Sequence, residues 1–406
     1  MPSTTSPTVV PETGTAGLRP WAAVLALAAA TFSVVTTEML PVGLLTPLGT
    51  GLRVSAGTAG LAVTLPGLVA AASAPLLPVA ARRADRRTVL CALLLLLTAA
   101  NLLSALAPHI AVLLCARALV GVCIGGVWAI AAGLGPRLMP PHRAGRATAL
   151  IFSGIAVASV LGVPAGTFLG SLTGWRWAFA ALAGVTLAAS AALLLLPPLP
   201  PEAPVRLGTF ARLLHTPGVG RSLLAVALLV TGHFTAYTYV RPVLDRVPGL
   251  GAGTVSTLLL GYGLAGIAGT FTGGALAARD PRRALLVIAS GLGTVVLLLI
   301  PAAGSLAASA TLLVLWGLVY GGVSVGAQSL LSAAAPRARE AGSALFAGVF
   351  NTAIALGAFT GGRTADGLGP VAVLAVGGGL ALLTLPAVPR GATRRPDTAG
   401  VRASRE

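Results

Sequence analysis

The stretch WAAVLALAAATFSVVTTEMLPVGLL, residues 21–45, holds a single ionisable side chain, Glu38, in an otherwise apolar run. A helix over it, rising ~1.5 Å per residue, is long enough to cross a hydrocarbon layer of about 30 Å. Eleven more runs of this kind follow, at 56–80, 88–106, 110–134, 147–172, 177–196, 222–243, 252–277, 284–301, 307–333, 341–364 and 370–388. The 406-residue chain is 56% hydrophobic and only 9% charged, and its charges gather between the runs. This pattern predicts an all-α membrane protein with twelve transmembrane helices. Residues 1–20 are polar and rich in Pro and Thr, and read as a disordered cytoplasmic tail. The apolar run behind them is too long for a signal-peptide core and carries an acid, so it reads as a retained first helix.

In a soluble chain a net charge of +17 would point to nucleic acid, but here position decides. Every basic residue other than His is Arg. Of the 27, 21 fall in segments that a cytoplasmic N-terminus places inside; Arg53, Arg176, Arg241, Arg246 and Arg363 fall outside, and Arg117 lies within a helix. This positive-inside bias predicts a multi-pass protein of the cell (inner) membrane with both termini cytoplasmic. The partner implied is the bilayer, not nucleic acid. Without lysine the chain has no phosphate-binding loop of the ATPase kind, so the energy for any transport comes from an ion gradient or a partner. Three cysteines inside apolar spans and four scattered histidines make no metal or nucleophile constellation. Neither a cofactor nor an enzyme is expected.

The longest polar stretch between spans is LPPLPPEAPVRLGTFARLLHTPGVGR, residues 196–221. It divides the chain into a first six-helix bundle (21–196), a cytoplasmic loop (197–221), a second bundle (222–389) and a basic cytoplasmic tail (390–406). Sliding the second half back by 200 residues places Leu313, Gly321, Gly326, Pro336 and Arg337 on Leu113, Gly121, Gly126, Pro136 and Arg137. At a shift of 196, Arg282, Arg283 and Leu286 fall on Arg86, Arg87 and Leu90. Two pseudo-symmetric bundles with a site at their interface is the expected design of a secondary transporter. Small residues recur every fourth position in the fifth helix (Gly154, Ala158, Gly162, Gly166, Gly170) and the eighth (Ala265, Gly269, Gly273, Ala277). Such stripes allow close helix contact, either as static packing or as a sliding seam between the bundles, the reading their pairing favours.

Glu38 needs a reason, because a charge deep in a span costs at least ~2.5 kcal/mol. Arg117, in the antiparallel fourth helix, comes to a similar depth, so the two can face each other. Desolvation favours the neutral carboxyl and a guanidinium the ionised one. Glu38 therefore reads as a proton carrier tuned by Arg117, the alternative being a fixed buried ion pair. In the seventh span His233, Tyr237 and Arg241 recur at spacings of four, with Thr235 and Tyr239 on a neighbouring stripe. Trp128, Trp316, Tyr320, Gln328 and Asn351 complete a candidate set for stacking on, and hydrogen bonding to, a flat polar ligand. Short basic turns at 82–87 and 279–283 place Asp85, Arg86 and Arg87, and Asp280, at the inner ends of the third helix of each half, suited to helix capping, gating or topogenesis.

Several motifs carry a resemblance: Arg117-Ala-Leu-Val-Gly121 with Gly125 and Gly126, Gly162-Val-Pro164-Ala-Gly166, and Gly174-Trp-Arg176. The chain resembles the major facilitator superfamily, and within it the twelve-helix drug/proton antiporter group. It departs at 82–87, where the usual Gly-x-x-x-Asp-Arg-x-Gly-Arg loop keeps only Asp85, Arg86 and Arg87. TEMLPVGLLTP at 37–47, GGVWAIAAGLGPRLMPP at 125–141, TFARLLHTPGV at 209–219 and TYVRPV at 238–243 make it similar, over nearly its whole length, to the bacterial purine ribonucleoside efflux permeases. The resemblance implies a monomer that exports inosine-like nucleosides or analogues in exchange for protons, with the first, fourth, seventh and tenth helices lining the cavity. A multidrug exporter of the chloramphenicol type is the competing expectation.

Overall fold

A computed structural model of the chain describes residues 18–131, 134–200, 216, 218–248, 250–302, 304–334 and 339–389. Residues 1–17 of the tail expected at 1–20, the tail at 390–406 and most of the central loop (201–215) lie outside the described residues, as do Pro336 and Arg337 of the internal repeat; residues 18–20 belong to the first helix. The described residues form helices and short connections, with no strand among them. In chain order the transmembrane helices are α1 (Leu18–Gly43), α2 (Ala56–Ala80), α3 (Arg86–Ala105), α4 (Ile110–Ala131), α5 (Pro141–Val157 continuing through Val163–Thr173) and α6 (Trp175–Ala192). The second half gives α7 (Val219–Tyr237), α8 (Ala252–Arg279), α9 (Pro281–Ala302), α10 (Leu306–Gly321 and Val323–Ala334), α11 (Arg339–Leu368) and α12 (Ala372–Ala387). Eleven are long and apolar enough to cross a membrane, and α12 is a shorter apolar helix of 16 residues. Leu25, Leu76, Phe271 and Leu383 stand exposed on them, the surface a chain presents to lipid.

Proline explains the interruptions. Pro164 has no N–H to complete an α-helical turn, and just before it α5 widens into a π turn over Ala158–Gly162, closed by the Val163 N–H on the Ala158 carbonyl. The seventh span, expected to run unbroken over 222–243, ends at Tyr237 and resumes as a short helix, Val240–Leu244, whose third residue is Pro242. The first span ends alike: after a turn at Leu44 the chain continues as Leu45–Leu52 with Pro47 inside it.

The two halves repeat one packing scheme. α1 packs on α5 and α6, α2 on α4, and α3 on α4 and α6; correspondingly α7 packs on α11 and α12, α8 on α10, and α9 on α10 and α12. The 200-residue register survives in space, since Gly121 lies against the backbone of Pro66, and Gly321 against that of Gly266. The turns from α5 to α6 and from α11 to α12 are equivalent too, each at a glycine with positive φ, Gly174 (95°) and Gly369 (91°). At the face carrying the starts of α3 and α9, Asp85 caps α3 through the N–H groups of Arg87 (2.9 Å) and Thr88 (3.4 Å), while Asp280 caps α9 through those of Arg282 (2.9 Å) and Arg283 (3.0 Å).

The glycine stripes correct one expectation. Gly154 approaches Ala28 and Thr31, Gly162 approaches Thr36, Gly166 Leu40 and Gly170 Leu44, so the α5 stripe seats α1 of its own half. The α8 stripe seats α10, with Gly269 against the Leu318 carbonyl and Gly273 against Gly322. Neither is a sliding seam between the halves. A four-residue period marks a face of close approach but does not name the helix that approaches. The halves meet instead where α2 lies on α11, α5 on α8 (Gly263 against Ser159 and Val160), and the ends of α1 and α7 touch.

These contacts make a paired prediction. In Gly269→Ala the new methyl is forced onto the Leu318 carbonyl, whereas in Gly266→Ala it meets only the Gly317 carbonyl at 3.6 Å. The first substitution lowers thermal stability in detergent by about 1–3 kcal/mol and the second leaves it nearly unchanged, as read by a melting assay.

Candidate functional site

Arg117, fully buried in α4, donates from Nε to the Ala62 carbonyl (2.7 Å), from Nη1 to the Thr37 carbonyl (2.8 Å) and from Nη2 to the Glu38 carbonyl (3.0 Å). In a helix the carbonyl of residue i takes the N–H of residue i+4. The partners due to Thr37 and Ala62 would come from Pro41 and Pro66, which have none. One guanidinium therefore supplies the hydrogen bonds that two prolines withhold, and in doing so ties α1, α2 and α4 together.

This modifies the expected pairing. Arg117 lies beside Glu38 and interacts with it electrostatically, but it spends its hydrogen bonds on backbone. Glu38 is 6% exposed and its Oε1 is buried without a hydrogen-bond partner. From α3, Asn101 donates to the Thr37 hydroxyl (3.0 Å) and keeps its own Oδ1 unpartnered.

Across from this polar corner the second half presents aromatic rings. His233 of α7 stacks on Tyr320 of α10 (centroids 3.5 Å apart, planes 10° apart) and on Tyr237 of its own helix (5.0 Å, 21°). Trp316 meets His233 edge-on and donates from Nε1 to its Nδ1 at 3.1 Å. Tyr262 of α8 stacks on Tyr237 at 4.9 Å, and Phe234 stands edge-on to His233 at 4.8 Å. Two polar atoms in this group, His233 Nε2 and the Tyr262 hydroxyl, are buried without partners. Glu38 of the first half lies within electrostatic reach of the Tyr320 phenol of the second.

The structure thus gathers His233, Tyr237, Trp316 and Tyr320 into one cluster, of which Tyr320 feels the charge of Glu38, and it places the other candidates elsewhere. Thr235 bonds the Thr231 carbonyl (2.8 Å) and faces Gly361 of α11. Tyr239 reaches between Gly60 of α2 and Gly362 of α11 to bond the Ala358 carbonyl (2.9 Å), filling the seam between halves. Trp128 stacks on Phe152 (5.8 Å, 9°) against the core of the first half. Asn351 bonds the Ala347 carbonyl of its own helix (2.9 Å), and Gln328 is partly buried in the second segment of α10. Gly162, Pro164 and Gly166 shape the α1–α5 contact. Asp85, Arg86 and Arg87 make their contacts within the first half, Asp85 Oδ2 taking the Leu199 N–H (2.6 Å) and Arg86 Nη1 bonding the Ala81 carbonyl (3.1 Å).

Sequence reading missed Tyr262, Phe234 and Asn101, although a lone Tyr or Asn in an apolar span is a signal. It also missed two carboxylates that latch the halves at the face opposite the α3 and α9 starts. Asp245, paired with Arg241 (2.8 Å), accepts from the Thr46 hydroxyl (2.6 Å), and Arg241 reaches the Gly43 carbonyl (3.5 Å). Asp366, at the end of α11, accepts from the Ser55 hydroxyl (2.8 Å) and the Gly57 N–H (2.9 Å), capping α2 from the other half. Read as loop charges, these two residues gave no sign of a partner some 200 or 300 positions away.

The family model described as Major Facilitator Superfamily matches residues 27–362. A "Purine ribonucleoside efflux pump NepI" of Salmonella paratyphi A is 35% identical over 367 residues, covering 90% of this chain and 92% of that protein. A "Transcription regulatory protein OpdE" of Pseudomonas aeruginosa is 36% identical over 354 residues, covering 86% and 88%. Among solved structures, a bacterial homolog of the human lysosomal transporter Spinster, inward-facing and unoccupied, superposes with a TM-score of 0.69 at 15% identity, covering 92% of this chain and 98% of that one.

The proline–arginine arrangement predicts a specific coupling. Arg117→Met strands the Thr37 and Ala62 carbonyls and destabilises the protein by about 1–3 kcal/mol for each. Pro41→Ala, which returns to Thr37 its own helical donor, recovers part of that loss in the Arg117→Met background but stabilises little in the parent chain. A double-mutant cycle on melting temperature checks it, and additivity would refute the shared role.

Proposed function

Because the chain belongs to the Major Facilitator Superfamily, we propose that this multi-pass membrane transporter is a proton-coupled exporter of small, flat, polar molecules, purine ribonucleosides or their analogues, across the cell membrane, with both termini in the cytoplasm. The observation that carries the proposal is the Glu38 carboxyl, buried with an unpartnered oxygen and within electrostatic reach of Tyr320 of the other half. A carboxyl stripped of water and short of hydrogen-bond donors takes up a proton to lose its charge. It gives the proton up when the halves rearrange and water or a donor reaches it. Arg117, fixed on backbone carbonyls, holds a constant positive field beside Glu38 and so sets how readily the proton leaves.

The cargo reading draws on the rings. Flat heterocycles stack on His, Tyr and Trp side chains, and the unpartnered His233 Nε2, Tyr262 hydroxyl and Glu38 Oε1 offer hydrogen bonds at their edges. Relatives named as purine ribonucleoside efflux pumps support a purine cargo. The regulatory name of the Pseudomonas relative has no counterpart in these residues, which are buried inside the protein and form no surface for nucleic acid.

Uptake into inside-out vesicles with an imposed pH gradient, over a panel of nucleosides and antibiotics including chloramphenicol, tests the proposal. Gradient-driven uptake of purine ribonucleosides is the expected outcome, and substrate-driven proton movement disappears in Glu38→Gln at normal expression. Uptake that ignores the gradient refutes antiport, and preference for the antibiotics moves the cargo to drugs. A second prediction concerns the latch. Asp366→Ala removes the acceptor that caps α2 from across the halves, and spin labels at the ends of α2 and α11 on that face then report a larger share of separated distances.

A further inference from the structure

We propose that Trp316 is a positioning residue that fixes His233 in one neutral tautomer, and that the resulting Nε2–H is the hydrogen-bond donor through which the site recognises an acceptor atom on the ring of its cargo. The inference rests on the reading of these rings as the cargo site, and it adds a polarity to that site.

Trp Nε1–H donates and cannot accept, so at 3.1 Å from it His233 Nδ1 must be the acceptor and carry no proton. The proton of the neutral imidazole is then on Nε2. Adding a proton to Nδ1 would set two N–H groups head to head, so the indole also disfavours the imidazolium. Packing leaves the ring no other choice. Tyr320 and Tyr237 stack on it, Phe234 and Trp316 stand at right angles to it, and Trp316 is itself 0% exposed. Turning the imidazole over would break the indole bond and restore nothing.

His233 Nε2 is buried, in a side chain only 1% exposed, and has no partner. An orphaned N–H in such a place is costly, and an acceptor removes that cost. Among the described residues, the Tyr262 hydroxyl and the Glu38 Oε1, both in electrostatic reach of Tyr320, are also buried without partners. A flat cargo with a carbonyl oxygen or an unprotonated ring nitrogen in its plane meets the requirement. A flat molecule whose edge carries only donors does not, and a site built around a buried donor rejects it. His233 therefore reads polarity, while the proton traffic stays with Glu38.

Two measurements on the full-length protein test this. In detergent, ¹⁵N NMR of histidine-labelled protein, with the His233 signal assigned by its loss in His233→Gln, is expected to show Nδ1 unprotonated and Nε2 protonated, and Trp316→Phe to mix the tautomers. A signal with the proton on Nδ1 in the parent chain overturns the inference without touching the cargo-site reading. In vesicles, Trp316→Phe is expected to raise the KM for inosine about tenfold with little change in Vmax, as loss of one oriented hydrogen bond would. In the His233→Gln background, whose amide donates without help from the indole, Trp316→Phe adds nothing. Additive effects overturn the positioning role, and an unchanged KM in His233→Gln, His233→Ala and Trp316→Phe overturns the cargo-site reading together with the donor role.

Discussion

The structure depends on a constraint that a bilayer enforces more strictly than water does: every backbone carbonyl must find a donor inside the protein. Pro41 and Pro66 break that rule in neighbouring helices, and Arg117 restores it from a third. The cost of burying a guanidinium is offset because its donors go where nothing else could supply them. The same arrangement explains the state of Glu38. An arginine fully committed to its carboxylate would make a closed ion pair with no reason to change. Committed to backbone, the guanidinium acts on the carboxyl as a nearby charge and leaves Oε1 open.

The two halves share a packing scheme but divide the chemistry. On the 200-residue register the position of Arg117 is taken by Gly317, which lets α10 press against the Tyr262 carbonyl. Where the first half holds a charged clamp, the second has no side chain at all, and its neighbours Trp316 and Tyr320 turn to α7 instead. Duplication supplied the frame, and the departures from symmetry supplied an acidic wall on one side and an aromatic wall on the other.

Hydropathy made the fold legible because spanning helices are long, apolar and separated by charge. The depth of Glu38 and Arg117 followed from the same count of residues. What periodicity could not supply was the partner. The α5 stripe and Tyr239 both looked like parts of a mechanism, yet the stripe seats α1 and Tyr239 fills the α2–α11 seam. The break of α7 after Tyr237 also took Tyr239 and Arg241 off the stripes that an unbroken helix would have made. Tyr262 went unread for the opposite reason, since one polar residue in a long apolar helix has no period to reveal its face.

The latch and the site stand in a fixed relation along the chain. Thr46 follows Glu38 by eight residues and Arg241 follows His233 by eight, each just past the break that ends its helix. The buried acid and the rings therefore each lie on a helix whose proline-interrupted end carries the closure. At the latch the first half offers neutral donors, from Thr46, Ser55 and Gly57, and the second offers the carboxylates of Asp245 and Asp366. Hydrogen bonds of that kind exchange readily with water, so the closed face can be released without separating a buried ion pair. That is the mechanical condition for a site to be reached from one side of the membrane and then the other while its walls stay intact.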